Sequence, residues 1–362
     1  MKLSRYFGII TYIITAITPA AAAPLLERVG TPLSNPWGMD FLDKSHILLT
    51  ERGGNMYKIN LTDGARQAIT GLPPIEAKRQ GGLLDVVVLK QAASPDGVFF
   101  CYSKPVTDGS ITAIDRAELH GTTLTKRQTI FVANKSSRNA IHYGCRLVLD
   151  NGFLYASLGE RGERYDAQDP AVHAGAIIRL RDDGSIPKDN PKQPGWAPEI
   201  ISIGHRNPQG MAIHPRTRKL WAHEHGPRGG DEINIISAGA NYGWPTVSHG
   251  KEYIGGTIGI GTSAPGLADP VWVWTPSIAP SGMAFYQGDM FPQLNGHLLV
   301  GSLKFKRLYT VQITDDLPQT EFVILDDAIG RVRDVAVASD GSILLLSDET
   351  DGGLYRLSKS GQ

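Results

Sequence analysis

One phrase recurs along the chain and limits the fold more than any other feature. It consists of a polar turn, a small apolar stretch, a tight turn and an apolar run ending in a Tyr or Leu pair. It reads NPWGMDFLDKSHILLTERGGNMYKI from Asn35, HYGCRLVLDNGFLYASLGERG from His142 and RNPQGMAIHPRTRKLWAHEHG from Arg206. It returns as PSGMAFYQGDMFPQLNGHLLVGSLKFKRLYTVQI from Pro280 and RVRDVAVASDGSILLLSDETDGGLYRL from Arg331, with a weaker copy, GGLLDVVVLKQAASPDGVFFCYS, from Gly81. The apolar runs are short, β-rich and bounded by Gly, Asn, Asp or Pro, and no helical period is sustained beyond the first residues. Six copies at roughly 55 residues each match the length of propeller repeats. A single small sheet cannot bury both faces, but neighbours in a ring bury them and leave only short edges. The sequence therefore predicts an all-β, six-bladed β-propeller of four-stranded antiparallel blades, with residues 24–362 as one domain. A pair of β-sandwiches is the plainer alternative.

Glycine is abundant, 41 of 362 residues, above the usual ~7%. Asp150-Asn151-Gly152 and Asp340-Gly341 fit hairpin turns, where glycine accepts positive φ. Unequal phrase spacing places insertions at Ser185–Pro198 and Gly255–Pro270, over one face of the ring.

Residues 1–23, MKLSRYFGIITYIITAITPAAAA, read as a secretory signal peptide: Lys2 and Arg5, an apolar core from Phe7 to Ile17, and small residues for cleavage. The run is shorter than the roughly 20 residues of a membrane span, and no later segment is long and apolar enough. The expectation is an exported, periplasmic protein without a membrane span. Lys plus Arg and Asp plus Glu are both 36, which gives no reason to expect nucleic-acid binding. Losing Lys2 and Arg5 leaves the remainder slightly acidic. The two cysteines, Cys101 and Cys145, lie in apolar runs. Export permits a bridge, but cysteine is commonly buried as a thiol, so two buried free thiols are expected.

In a propeller the inner strands open toward one end of a central channel, so the phrase starts converge there. They carry Gln80, then His142 and Arg146, then the run from His205 to Gly210, then Trp274 with Ser277 and Pro280, then Lys304, then Arg331 and Arg333. The last two point the same way, being two apart on a strand. Arg206, Lys304, Arg331 and Arg333 would gather four cations at one mouth, which calls for a polyanionic ligand. Taken singly, each has a plainer role: His142 as a structural histidine, the arginines as ion-pair partners of Asp334 or Glu232, Lys304 as a solvated side chain. The segment from His223 to Pro245 joins glycines and Pro227 to Asp231 and Glu232, a set of oxygen donors of the kind calcium takes; an acidic turn without metal stays open. His223 and His225 lack the further ligands that zinc needs.

GHRNPQGMAIHP from Gly204, EHGPRGGDEINII from Glu224 and NYGWP from Asn241 resemble the soluble PQQ-dependent sugar dehydrogenases, in the aldose sugar dehydrogenase branch of the glucose/sorbosone dehydrogenase family. QGGLLDVVV at Gln80, IHYGCRL at Ile141, GERGERYDAQDP at Gly159, HAGAIIRLRDDGSIPKDNP at His173, GSLKFKRL at Gly301 and RVRDV at Arg331 extend the likeness over the whole chain after the leader. The resemblance implies PQQ in the central mouth, calcium, an aldose substrate and an electron acceptor that the sequence does not identify, in a monomer or homodimer. It implies His142 as the base for the sugar C1 hydroxyl, with Arg206 polarising the quinone oxygen and Asn207 beside it. Gln80, Lys304, Arg331 and Arg333 would hold the cofactor, with Tyr253 against it. The carbonyls of Gly226 and Pro227 would reach one calcium, and Glu232 with the Tyr242 carbonyl another. An acidic residue can orient the base in this family; here Ile141 precedes His142, and the sequence leaves open whether Asp166 or Asp169 takes that role. The segment 250–270, expected to help shape the sugar pocket, has no pattern that maps onto the family. A calcium-dependent lactonase-type hydrolase and a non-enzymatic sugar- or protein-binding propeller are the competing readings. The first would want carboxylates converging on one metal, and the second has no use for four cations together.

Overall fold

The computed structural model describes residues 24–90 and 96–359. The expected signal peptide lies outside the described residues. The described chain is a six-bladed β-propeller. The innermost strands are Pro36–Phe41, Leu83–Leu89, Gly144–Asp150, Pro208–Ile213, Pro280–Phe285 and Val332–Val337, and they open blades 1 to 6 in that order. Each begins at or just after the start of a repeated phrase. Blade 3 adds to its four antiparallel strands a short fifth one, Ala240–Asn241, parallel to Ile200–Ile203. Blade 6 is built from both ends of the chain: Pro24–Leu33 pairs antiparallel with Gly352–Lys359 as its outermost strand.

Alternation along the strands explains the ring. In blade 6, Ile343 and Leu345 pack toward blade 5, among Tyr286, Leu299 and Leu308. Leu344 and Leu346 pack toward blade 1, among Ile47, Leu49 and Ile59. Both faces are buried, so the strand reads as one apolar run instead of alternating with polar residues. Each such side chain contributes about 1.5–3 kcal/mol by leaving water, and the seam between blades collects most of it. The Asn151-Gly152 turn has φ of 50° and 78°, the paired positive values that a two-residue hairpin turn demands. The two expected insertions are strand-free and lie inside blades 3 and 4, before Ile200–Ile203 and Trp272–Trp274.

The cysteines correct one expectation. Both are buried, but they are bridged: Cys101, on the second strand of blade 2, joins Cys145, on the first strand of blade 3, with Cα atoms 5.8 Å apart. The apolar setting that suggested thiols is the seam itself, where Phe99, Ile114, Leu147 and Leu154 surround them. Adjacent blades bring alternate residues face to face, and a pair of cysteines at such positions meets the distance a disulfide requires.

Deeper in the channel, Arg146 donates from Nη1 to Asp85 and Asp334, each at 3.0 Å. This buried cluster ties blades 2, 3 and 6, and its geometry fixes their register about the axis. The Arg146 guanidinium also lies over the Trp37 ring of blade 1, 4.6 Å from its centroid. No described helix is long and apolar enough to cross a membrane.

Candidate active site

The phrase starts converge on a cavity of about 380 Å³ at one end of the channel. All six blades contribute: Trp37 and Arg52 from blade 1, Gln80 and Leu84 entering blade 2, Tyr143 and Gly144 from blade 3, and Asn207, Gln209 and His225 from blade 4. Ala279, Leu303 and Lys304 come from blade 5, and Arg331, Arg333 and Asp348 from blade 6. Of the residues expected to hold a cofactor, Gln80, Asn207, Lys304, Arg331 and Arg333 therefore stand together. Tyr253 does not join them; it is 67% exposed on the loop of blade 4. Trp274 lies on the outermost strand of blade 4, and Arg146 lies below the cavity.

The cavity is cationic. Arg52, Lys304, Arg331 and Arg333 face one carboxylate, Asp348, which leaves an excess of three positive charges. Arg333 donates to Asp348 at 2.7 Å and to Gln209 at 3.0 Å, and it lies over the Trp37 ring on which Arg146 also rests. Arg331 reaches the Leu303 carbonyl at 3.2 Å. The arginines thus pair with Asp348 and not with Asp334 or Glu232. Burial alone would raise the Asp348 pKa, but Arg333, with help from Arg52 and Arg331, holds it below the usual carboxylate range. Lys304 has no carboxylate partner among the described residues; its ammonium sits 5.1 Å from the Phe305 ring centroid. His225 is half-buried and donates from Nε2 to the Pro280 carbonyl, 2.7 Å away; desolvation drives its pKa well below normal, so it adds no charge.

His142 sits at the cavity edge. Its backbone N–H donates to the Gln80 side chain at 2.8 Å, and the next residue, Tyr143, is part of the wall. Its φ is 49°, a conformation that a side-chain-bearing residue adopts at a cost and that clusters at functional positions. The ring is oriented by Glu160: Nδ1 of His142 hydrogen-bonds Glu160 Oε1. Neither Asp166 nor Asp169, the two residues left open for that role, meets the ring. Asp166 pairs with Lys135 instead, and the Asp169 carboxylate accepts the Ala171 N–H. The signal for Glu160 lay in the GERG run. Gly159 has no room for a side chain, since a Cβ there would come within 2.1 Å of the His142 carbonyl oxygen. That close approach brings Glu160 beside the histidine.

Arg206 stands near His142. Its Nη1 donates to the carbonyls of His225 and Gly226, both at 3.1 Å, and its guanidinium lies 5.3 Å from the Trp244 ring centroid. Its charge reaches His142. Burial, then the positive charges of Arg206 and Arg161, lower the His142 pKa below 6.5, while Glu160 works in the opposite direction. The imidazole is therefore neutral at neutral pH, with its proton on Nδ1 toward Glu160 and the Nε2 lone pair free. Asn207 accepts the Gly144 N–H through Oδ1 at 3.1 Å.

Beside Arg206 lies a small cavity of about 10 Å³, lined by Glu224, Gly226, Glu232 and Tyr242 among others. That is the volume of about one water or ion. Gly226, expected at one calcium, and Glu232 and Tyr242, expected at another, line this same cavity; Pro227 is not among its lining residues. Glu224, which the sequence reading left out, lines it as well. Burial, then the charges of Glu224 and Asp231, raise the Glu232 pKa well above normal. The carboxylates of buried Glu224 and half-buried Glu232, beside backbone carbonyls, form a hard-oxygen donor set of the kind that fits a calcium ion.

The sequence matches the family described as Glucose / Sorbosone dehydrogenase over residues 33–356. The chain belongs to that family. It is 39% identical over 353 residues to the aldose sugar dehydrogenase YliI of Escherichia coli, covering 95% of both chains. The structure of the soluble aldose sugar dehydrogenase from Escherichia coli in its apo form matches with a TM-score of 0.89, covering 93% of this chain and 100% of that one. The PQQ-bound aldose sugar dehydrogenase of Streptomyces coelicolor matches with a TM-score of 0.77 at 26% identity, covering 93% of this chain and 98% of that one. Within this glucose/sorbosone dehydrogenase, the cationic cavity and the His142–Glu160 pair are the two features with chemical consequence.

Proposed function

We propose that the protein is a periplasmic quinoprotein that oxidises the C1 hydroxyl of aldose sugars to aldonolactones. The observation that carries this is a neutral, carboxylate-oriented imidazole at the rim of a cavity with three excess positive charges. PQQ has three carboxylates, which the charge of Arg52, Lys304, Arg331 and Arg333, less that of Asp348, balances. The PQQ-bound relative from Streptomyces coelicolor supports the choice of cofactor. Bound there, PQQ supplies the acceptor for the hydride that leaves C1.

The chain's own residues do the rest. Nε2 of His142 takes the C1 hydroxyl proton, and Glu160 holds the ring in the tautomer that can do so and stabilises the imidazolium that forms. Arg206 places a fixed cation beside the base, where negative charge developing on an acceptor oxygen is stabilised without reorganisation. Gln80, Asn207, Lys304, Arg331 and Arg333 would bind and orient the cofactor. Gly226, Glu224, Glu232 and Tyr242 would hold calcium, which adds polarisation and orientation.

The test is direct. Protein lacking residues 1–23 is mixed with PQQ and calcium, and glucose and other aldoses are offered with an artificial electron acceptor. Sugar-dependent reduction of the acceptor is expected. Failure of PQQ to bind with calcium present would remove the proposal.

A further inference from the structure

The turn of residues 159–162 carries two charged side chains with separate tasks. Glu160 meets the His142 ring. Arg161 turns beneath the segment that carries it. Nε of Arg161 donates to the Ile141 carbonyl at 3.1 Å and Nη2 to the Asn139 carbonyl at 2.7 Å. Nη1 and Nη2 also reach the carbonyl and hydroxyl of Ser110, at 3.4 and 3.3 Å. The guanidinium lies 3.6 Å from the centroid of the Tyr143 ring, and the Tyr143 hydroxyl hydrogen-bonds Ser110 at 2.7 Å. One group therefore joins the carbonyls just before His142 to the ring just after it.

Its setting is unusual. Arg161 is 5% exposed and forms no salt bridge among the described residues. A buried cation held by carbonyls, a hydroxyl and an aromatic face is costly, and a neutral residue would pack a plain loop at less expense. Arg161 and His142 both have positive φ, 60° and 49°, so the backbone they share needs holding. The backbone N–H of Arg161 also donates to the His142 carbonyl, at 3.3 Å.

We infer that Arg161 is a positioning residue for the base: its guanidinium fixes the backbone of residues 139–143, and thereby holds His142 Nε2 and the Tyr143 ring in place at the cavity wall. The inference rests on the reading of His142 as the base. The charged groups facing the His142 ring are Glu160, Arg206 and Arg161, and the two arginines disfavour its protonated form.

Two variants separate a positioning role from a merely structural one. Arg161→Lys keeps the charge but cannot span the two carbonyls and Ser110 together. Arg161→Met removes the charge as well. Each is assayed at saturating PQQ and calcium, checked by thermal melting, and the His142 ring is titrated by NMR in the cofactor-free protein, assigned against His142→Gln. Arg161→Lys is expected to lose about 10-fold in kcat with little change in the His142 titration, and Arg161→Met about 100-fold. In Arg161→Met the His142 midpoint moves to higher pH, because a cation that opposes protonation is gone. Wild-type kcat in either variant, or an unmoved His142 titration in folded Arg161→Met, overturns the inference. If Arg161→Met does not fold, Arg161→Lys decides alone. Wild-type protein that oxidises no aldose counts against the base assignment, whereas active wild type with unchanged Arg161→Lys counts against Arg161 only.

Discussion

Glu160 accepts from Nδ1 of His142 with one carboxylate oxygen and keeps the other buried with no hydrogen-bond partner among the described residues. A carboxylate in that position costs free energy unless the imidazole it faces becomes charged during turnover. Glu160→Gln retains an acceptor for Nδ1–H but loses the charge. Its kcat should fall by about 10²–10⁴-fold with PQQ affinity unchanged, by analogy with triads whose orienting acid is neutralised. A variant within twofold of wild type would show that Glu160 does not support the base.

The ionisation of His142 gives a second check. Its pKa in the cofactor-free protein lies below 6.5, chiefly through burial. Glu160 acts to raise that pKa, so Glu160→Ala should move the midpoint to still lower pH. An NMR titration reads both values, and a wild-type midpoint above 6.5 would contradict the geometry. In linkage terms a depressed histidine pKa means that the unfolded chain binds more protons. Stability from this group is therefore fully present above pH 6.5 and is lost as pH falls below that value and through the lower pKa of the folded state.

Lys304 and Arg333 should respond differently to truncation. Lys304 has no carboxylate partner among the described residues, so Lys304→Ala is expected to weaken PQQ binding about 10–100-fold while the melting temperature hardly moves. Arg333→Ala removes a cation from the same cavity but also deprives buried Asp348 of its nearest partner. It should lower both affinity and melting temperature. Equal stability loss in the two variants would undo the distinction.

The Cys101–Cys145 bridge closes a separation of 44 residues. Replacing both cysteines by serine should cost about 2–4 kcal/mol of stability, measured by urea unfolding with and without reductant. Wild type should become reductant-sensitive only once unfolded, because both sulfur-bearing residues are buried. Fast reduction of the native protein would refute that placement.

Calcium should raise the melting temperature of the cofactor-free protein, by mass action on the folded state, and magnesium should do so less. Glu232→Gln should abolish the shift. A calcium shift that survives in Glu232→Gln would locate the ion elsewhere.

Much of this was legible in the repeated phrase. A strand buried on both faces leaves an apolar run with turn residues at its ends, and six such runs name six blades. The cavity wall followed because each inner strand starts at the same height. What escaped was set by contacts between phrases. Glu160 lies 18 residues from His142 in sequence, and only the close approach of Gly159 to the His142 carbonyl brings them together. Cys101 and Cys145 face each other only once blades 2 and 3 are side by side. Arg52 and Asp348 lie at the ends of second strands, positions that carry no marker in the phrase. Tyr253 lies outside the cavity wall because its loop, between Ala240–Asn241 and Trp272–Trp274, is not part of the repeat that positions the others.

Blade 6 takes its outer strand, Pro24–Leu33, from one end of the described chain and its other three strands from the opposite end. Arg331, Arg333 and Asp348 belong to those late strands. A chain shortened before them keeps Arg52 and Lys304 but lacks two of the four cations of the cavity and its one carboxylate, and blade 6 is reduced to the single strand Pro24–Leu33. The cavity wall is therefore complete only where the two ends of the described chain have met.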